Sequence, residues 1–287
     1  MKKILISTAV LMMVAGCSSQ QPLLVENEVQ TNISSITTLD NSDFTRKMQN
    51  PATYKVKTKL PKSICGQNDL QQVNSYDGNL GQPVDFVNAH KNPVGAMEDS
   101  GSDKADKFCS GTLIGENLFL TASHCVDSST PKSQYIALNY EKVKGSNSLL
   151  PQKHFKITKV VESHLGGLDY AILQLDGKPG AEFGWTKLRA VTPANGEKLT
   201  IIQHPSGEPK QIEIGNMVGT EGTYMKYEDL DTEPGSSGSG VLDANGNVVG
   251  VHTNGGCFSS GGANRGVLLS EIVKVSKVVK ELNTAKR

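Results

Sequence analysis

With 287 residues, the chain is long enough for one large domain or two modest ones. Hydrophobic content of 37% with 20% charged residues is ordinary for a globular protein, and 29 glycines with 5% aromatics suit many short strands and turns. The formal net charge is zero, which leaves no electrostatic footprint for nucleic acid.

The chain opens as an export signal. Lys2 and Lys3 precede an apolar stretch, 4–14, that is too short to span a bilayer. Val14-Ala15-Gly16-Cys17 resembles a bacterial lipobox, so residues 1–16 are expected to be removed and Cys17 lipidated. The alternative is an ordinary secretory signal with a chance cysteine. Ser18 after the cysteine resembles the pattern sent on to the outer membrane. Residues 17–62 are rich in Ser, Thr, Asn and Gln and lack an apolar period, as expected of a leader, propeptide or tether. Beyond Cys17, four cysteines remain: Cys65, Cys109, Cys125 and Cys257. They allow three pairings, and export favours disulfides.

From Ser63 the character changes. Short β-rich runs, 118–122, 155–161, 170–175, 198–203 and 247–253, are separated by turn residues. Asn245-Gly246 reads as a hairpin turn. This punctuation predicts an all-β sandwich or barrel. Near the end, Ile272, Val275, Val279 and Leu282 share one face of a helix over about 270–283, with Ser270 as its N-cap. That face is expected to pack against the body.

Three local contexts carry chemistry. A β-rich run ends on Ala122-Ser123-His124-Cys125, Asp169 opens the apolar run 170–175, and Gly235-Ser236-Ser237-Gly238 presses hydroxyls between glycines. Composition alone would make the last a flexible linker. The other two contexts argue instead for a catalytic turn. A serine hydroxyl needs a base to take its proton, and imidazole has a suitable pKa. The imidazole needs a carboxylate to fix its tautomer and stabilise its charged form. Glycine beside the serine lets two N–H groups converge on one oxyanion. His154, His164 and His204 are dispersed and read as surface or packing residues. No spacing suggests zinc or an EF-hand, so no metal or cofactor is expected.

Taken together, Thr121-Ala122-Ser123-His124-Cys125, Asp169-Tyr170-Ala171-Ile172-Leu173 and Gly235-Ser236-Ser237-Gly238-Ser239 resemble the three motifs of the chymotrypsin-type serine peptidases, in that family's order. The resemblance implies an all-β fold of two packed six-stranded antiparallel barrels. The peptidase domain would be 63–287, with barrel one at about 63–180, barrel two at about 181–269 and a C-terminal α-helix. It implies a His124–Asp169–Ser237 triad and an oxyanion hole from the Gly235 and Ser237 amides. It also implies a Cys109–Cys125 disulfide, which leaves Cys65 for Cys257. Ser236 stands where the animal digestive branch has an aspartate, so activation through that ion pair is not implied.

The bacterial glutamyl endopeptidases are a closer match, because their mature chains begin much like Ser63-Ile64-Cys65-Gly66-Gln67-Asn68-Asp69. Cleavage between Lys62 and Ser63 would then mature the enzyme and free it from lipid. In that branch a hydroxyl residue and a histidine hold the acidic P1 side chain, and Thr232 and His252 fall at those positions. Asp231 falls where trypsins bind Lys or Arg, so cleavage after a basic residue stays open. Gly255 and Gly256 would form the pocket wall. Protein or peptide substrates and a monomer are expected. A catalytically silent binding module on the same fold is the alternative from another class.

Overall fold

The computed structural model describes residues 63–258 and 261–284. The expected export signal, Cys17, the expected leader and Lys62 lie outside the described residues.

The first strand, β1 (Gln71–Gln72), is followed by a short helix, α1 (Val84–His90). Six strands then close a barrel: β2 (Val94–Glu98), β3 (Lys107–Leu113), β4 (Leu118–Thr121), β5 (Tyr135–Leu138), β6 (Lys153–His164) and β7 (Tyr170–Leu175). The ring order is β2-β3-β4-β7-β6-β5, and every pairing is antiparallel. Leu113, Phe119, Leu120, Ile136, Leu138, Ile157 and Leu173 fill its core. A Cβ on Gly111 would sit 2.3 Å from the Phe119 ring, so that crossing of strands needs a glycine. The long β6 faces solvent along much of its length and slips register against β7 twice. Such bulges bend a strand enough to close a small barrel.

The second barrel comprises β8 (Lys198–Gln203), β9 (Gln211–Glu221), β10 (Tyr224–Glu228), β11 (Gly240–Leu242), β12 (Val248–Asn254) and β15 (Asn264–Leu268). Its order is β9-β10-β15-β12-β11-β8, and pairing of β8 with β9 closes the ring. Leu199, Ile201, Met217, Met225, Tyr227, Val241 and Val249 form its interior. The two-stranded ribbon β13 (Cys257–Phe258) and β14 (Gly261–Gly262) projects beside it. The expected hairpin at Asn245-Gly246 joins β11 to β12, with Gly246 at φ 77°.

Two expectations need correction. Residues 63–72 belong with the second barrel rather than the first: β1 pairs with β9, and Ser63 exchanges backbone bonds with Thr232. The cause is long-range, because the arm's backbone pairings with β9 and Thr232 join residues more than a hundred positions apart. The tail is also not one helix. It comprises α2 (Leu269–Val275) and α3 (Lys277–Thr284). Leu268, not Ser270, is the N-cap of α2. Ser276 breaks the helix at ψ 122°, and its Oγ accepts the Val279 N–H at 3.0 Å. That gives α3 the side-chain cap its first turn needs. The break re-aims the apolar face, so Ile272 and Val279 are buried while Val275 is half exposed.

Candidate active site

His124 lies in a 3-10 turn, Ser123–Cys125, directly after β4. The Cys109–Cys125 disulfide ties that turn to β3. Thr121 Oγ1 donates to the Ser110 carbonyl at 2.8 Å and holds the same strand end. Asp169 follows the turn Gly166-Gly167 and opens β7 with φ 31°, a left-handed backbone unusual for a side chain. Its Oδ1 accepts the His124 backbone N–H at 2.9 Å, and its Oδ2 is 2.7 Å from His124 Nδ1. Burial opposes ionisation of Asp169. The charge and hydrogen bonds of His124, with the Ser123 amide, outweigh it and hold the carboxyl below its ordinary value. An ionised acceptor on Nδ1 keeps that ring nitrogen protonated and leaves Nε2 as the base.

Ser237 comes from the second barrel. Its turn is closed by Ser236 N–H to Glu233 O at 2.9 Å and Ser239 N–H to Ser236 O at 3.1 Å. Gly235 and Gly238 take φ of 101° and 89°. A Cβ on Gly238 would lie 2.1 Å from Thr121 Oγ1, so its absence lets the turn press against β4. Ser110 of β3 fastens this turn to the first barrel. Its N–H donates to Ser237 O at 2.8 Å, its Oγ donates to Gly235 O at 2.7 Å, and that Oγ accepts the His204 N–H at 2.9 Å. The Ser237 carbonyl lies 3.8 Å from Cys125 Sγ, which brings the serine turn against the histidine turn. With the Gly235 carbonyl drawn to Ser110, the peptide plane is set. Among the described residues, neither the Gly235 nor the Ser237 amide donates a bond within the chain.

The residues expected to hold the P1 side chain are buried. His252 on β12 is 2% exposed, and its Nδ1 lies 2.5 Å from the Tyr227 hydroxyl on β10. Burial, with the charge of His124, pushes His252 down to about 3, against an opposing bond to the Arg265 backbone and the charge of Asp169. Burial also pushes the Tyr227 phenol up, so it stays protonated. A protonated phenol donates, Nδ1 accepts, and the proton of neutral His252 sits on Nε2. Thr232 and Ser63 trade backbone bonds at 2.9 and 3.1 Å. Ser63 Oγ accepts the Gly256 and Cys257 N–H groups at 2.7 and 2.9 Å. A Cβ on Gly255 would meet the Ser63 side chain at 2.7 Å, so that glycine is set by close packing. The Cys65–Cys257 disulfide joins the same two segments.

Asp231 is 1% exposed, and its Oδ1 accepts the Cys65 N–H at 2.6 Å. Burial first, then the charge of Asp69, raises its pKa. Its carboxylate is therefore engaged by the N-terminal arm. The other four histidines are placed elsewhere, and His90 on α1 packs against Phe86. His154 pairs with Glu98 and Asp103, His164 stacks on Tyr170, and buried His204 stacks on Tyr140. Sequence reasoning missed Ser110, Tyr227 and Asn264. Asn264 Nδ2 donates to the carbonyls of Ser63 and Leu230 at 3.0 and 2.8 Å. Nothing in their local sequence marks them, because each acts on residues far along the chain.

Paired barrels with this turn between them define the chymotrypsin-like fold, and residues 109–251 match the trypsin-like peptidase domain. The chain belongs to the trypsin-like peptidase family. Within it, the likeness extends to the glutamyl endopeptidases. That of Staphylococcus epidermidis is 27% identical over 51% of this chain and 54% of its own length. Secreted RxLR effector protein 73 of Plasmopara viticola is 27% identical over 68% of this chain and 51% of its own. The chain thus spans about half the length of these curated relatives. The solved structure of a Glu endopeptidase in complex with MPD shares the fold, with a TM-score of 0.53 and 23% identity over 78% of this chain and 99% of that one.

Proposed function

We propose that the chain is a serine endopeptidase with His124, Asp169 and Ser237 as its triad. The observation that carries this is the clasp of His124 by Asp169, which leaves Nε2 as the base, in a histidine turn whose Cys125 packs against the glycine-flanked Ser237 turn. Ser237 Oγ attacks the scissile carbonyl carbon while His124 Nε2 takes its proton. The tetrahedral oxyanion is met by the Gly235 and Ser237 amides. His124 then protonates the leaving amine, and an acyl-enzyme forms on Ser237. Water, deprotonated by His124, attacks the ester and restores the serine.

The preferred P1 residue is Glu. A neutral imidazole and a hydroxyl, His252 and Thr232, can donate to a carboxylate. Support comes from Asp231, whose carboxylate is held by the Cys65 N–H rather than left for a basic side chain. Its counterpart reading, cleavage after Lys or Arg, is the competing outcome. The mature chain begins at Ser63, whose backbone and hydroxyl are already bonded to Thr232, Gly256 and Cys257. Before that cut the protein is exported and lipid-anchored through Cys17.

A fluorophosphonate probe should label wild type and not Ser237→Ala; absence of labelling in the mature form would instead indicate a silent binding module. Digestion of a peptide library should give cuts after Glu, and cuts after Lys or Arg would overturn the assignment of Thr232 and His252. N-terminal sequencing of the soluble form should read Ser-Ile-Cys, and an intact Cys17 end would refute maturation at Lys62.

A further inference from the structure

The N-terminal arm meets the second barrel at a concentration of negative charge that the peptidase chemistry does not use. Asp69 of the arm, Glu213 of β9 and Asp231 each offer an oxygen, and these atoms all lie within 4.8 Å of one another. Glu213 is fully buried and Asp231 nearly so, while Asp69 is exposed. Glu213 Oε1 accepts the Ile214 N–H at 2.9 Å, and Asp231 Oδ1 accepts the Cys65 N–H at 2.6 Å. Among the described residues, the second oxygen of each, Glu213 Oε2 and Asp231 Oδ2, is buried and meets no donor at full hydrogen-bond geometry; Asp69 alone reaches both carboxyls, through its backbone N–H to Asp231 and its side chain to Glu213. A buried carboxylate oxygen without a donor is costly. Burial above all raises the Glu213 pKa, to about 9, and the charges of Asp69 and Asp231 with a side-chain hydrogen bond to Asp69 add to it, so without a cation Glu213 holds a proton.

We propose that Asp69, Glu213 and Asp231 form a calcium site that fastens the N-terminal arm to the second barrel. All three donors are hard oxygens, the ligand type that suits calcium and magnesium rather than softer metals. Calcium holds oxygens at about 2.3–2.6 Å, so ligands on opposite sides of one ion stand roughly 5 Å apart. Oxygens within 4.8 Å of one another can share one such ion, and calcium's flexible shell asks less of their geometry than magnesium's near-ideal octahedron. Two buried carboxylates would form the floor, and exposed Asp69 would close the site on the solvent side. Water can complete the shell there. Asp231 precedes Thr232, and the arm carries Ser63 and Cys65, so the ion would stiffen the wall of the proposed P1 pocket from behind. The inference does not depend on peptidase activity.

The test is calorimetric titration of the chelator-stripped full chain with calcium chloride, alongside thermal melts with and without the ion. One saturable calcium per chain and a raised Tm are expected, with weaker binding of magnesium. Asp69→Asn removes a ligand from an exposed position and should keep the fold while weakening calcium binding by about tenfold or more. Glu213→Gln should abolish binding. Absence of saturable binding, or equal binding by wild type and both variants, would overturn the proposal. So would a wild-type Tm indifferent to calcium together with a higher Tm in Glu213→Gln, because a proton shared between Glu213 and Asp69 would then explain the cluster.

Discussion

Asp169→Asn tests the triad most sharply. The carboxylate presents two acceptors to two donors, the His124 backbone N–H at 2.9 Å and Nδ1–H at 2.7 Å. Asparagine presents one acceptor and one donor. If its carbonyl keeps the backbone bond, its NH2 faces Nδ1, which must then accept. The ring proton moves to Nε2, the nitrogen that has to receive the Ser237 proton. If the amide flips, its NH2 opposes the backbone N–H and that bond is lost. Asparagine is the right probe because it is nearly isosteric and tolerates the left-handed backbone at φ 31°. A wrong tautomer in a triad of this kind costs on the order of 10,000-fold in kcat, about 5 kcal/mol of transition-state stabilisation. The assay is kcat and KM on the best library peptide, with circular dichroism to check the fold. KM should change little, since the bond is made to a catalytic group and not to substrate. A folded variant that keeps kcat within about tenfold of wild type would refute the assignment of Asp169.

Three further outcomes follow from the packing around the site. Gly238→Ala should destabilise by about 3 kcal/mol or more and abolish activity, because its Cβ would lie 2.3 Å from the Ser110 carbonyl at a positive φ; urea denaturation measures this. Glu141 holds two lysines, Lys210 at 2.9 Å and Lys91 at 2.6 Å, and Lys210 is fully buried. Glu141→Gln should cost roughly 3–5 kcal/mol by leaving a buried ammonium uncompensated. Burial opposes ionisation of Glu141, but the two lysines hold it at about 2, below its ordinary 4.5. Its contribution is therefore present above about 4.5 and lost as pH falls towards 2. Wild-type stability should show that acid step in denaturation curves across pH, and Glu141→Gln should lack it. Replacing Cys65 and Cys257 together by serine should lower stability by about 3–5 kcal/mol, since the bridge closes a separation of 192 residues; differential denaturation with and without reductant checks it.

The strand runs were legible because alternation and turn residues act locally. Residues 170–175 and 198–203 are strands at the positions read from the sequence. The helix α1 went unread because seven residues after Pro83 are too few to establish a 3.6-residue period. The tail illustrates the opposite error. Its apolar spacing runs evenly through Ser276, but that serine caps a second helix instead of continuing the first. The pocket residues divide along the same line. His252 and Thr232 were singled out through the resemblance to the glutamyl endopeptidases. Tyr227, which sets the tautomer of His252, lies 25 residues away in the chain and only becomes a neighbour through the β10-β15-β12 order.

The sequence by itself determined the elements: a β-rich chain, a glycine-flanked serine turn, a histidine beside a cysteine, and an aspartate at the mouth of an apolar strand. These are matters of local sterics and side-chain chemistry, readable within a few residues. Tertiary structure decided which way Asp231 faces and where the N-terminal arm belongs. It also decided that Ser110 would join the two barrels at the serine turn. Each of those outcomes is a choice among hydrogen-bond partners separated by more than a hundred residues. Burial makes the choice obligatory, because a polar group removed from water must find a partner within the fold. Only closure of both barrels brings those partners into reach.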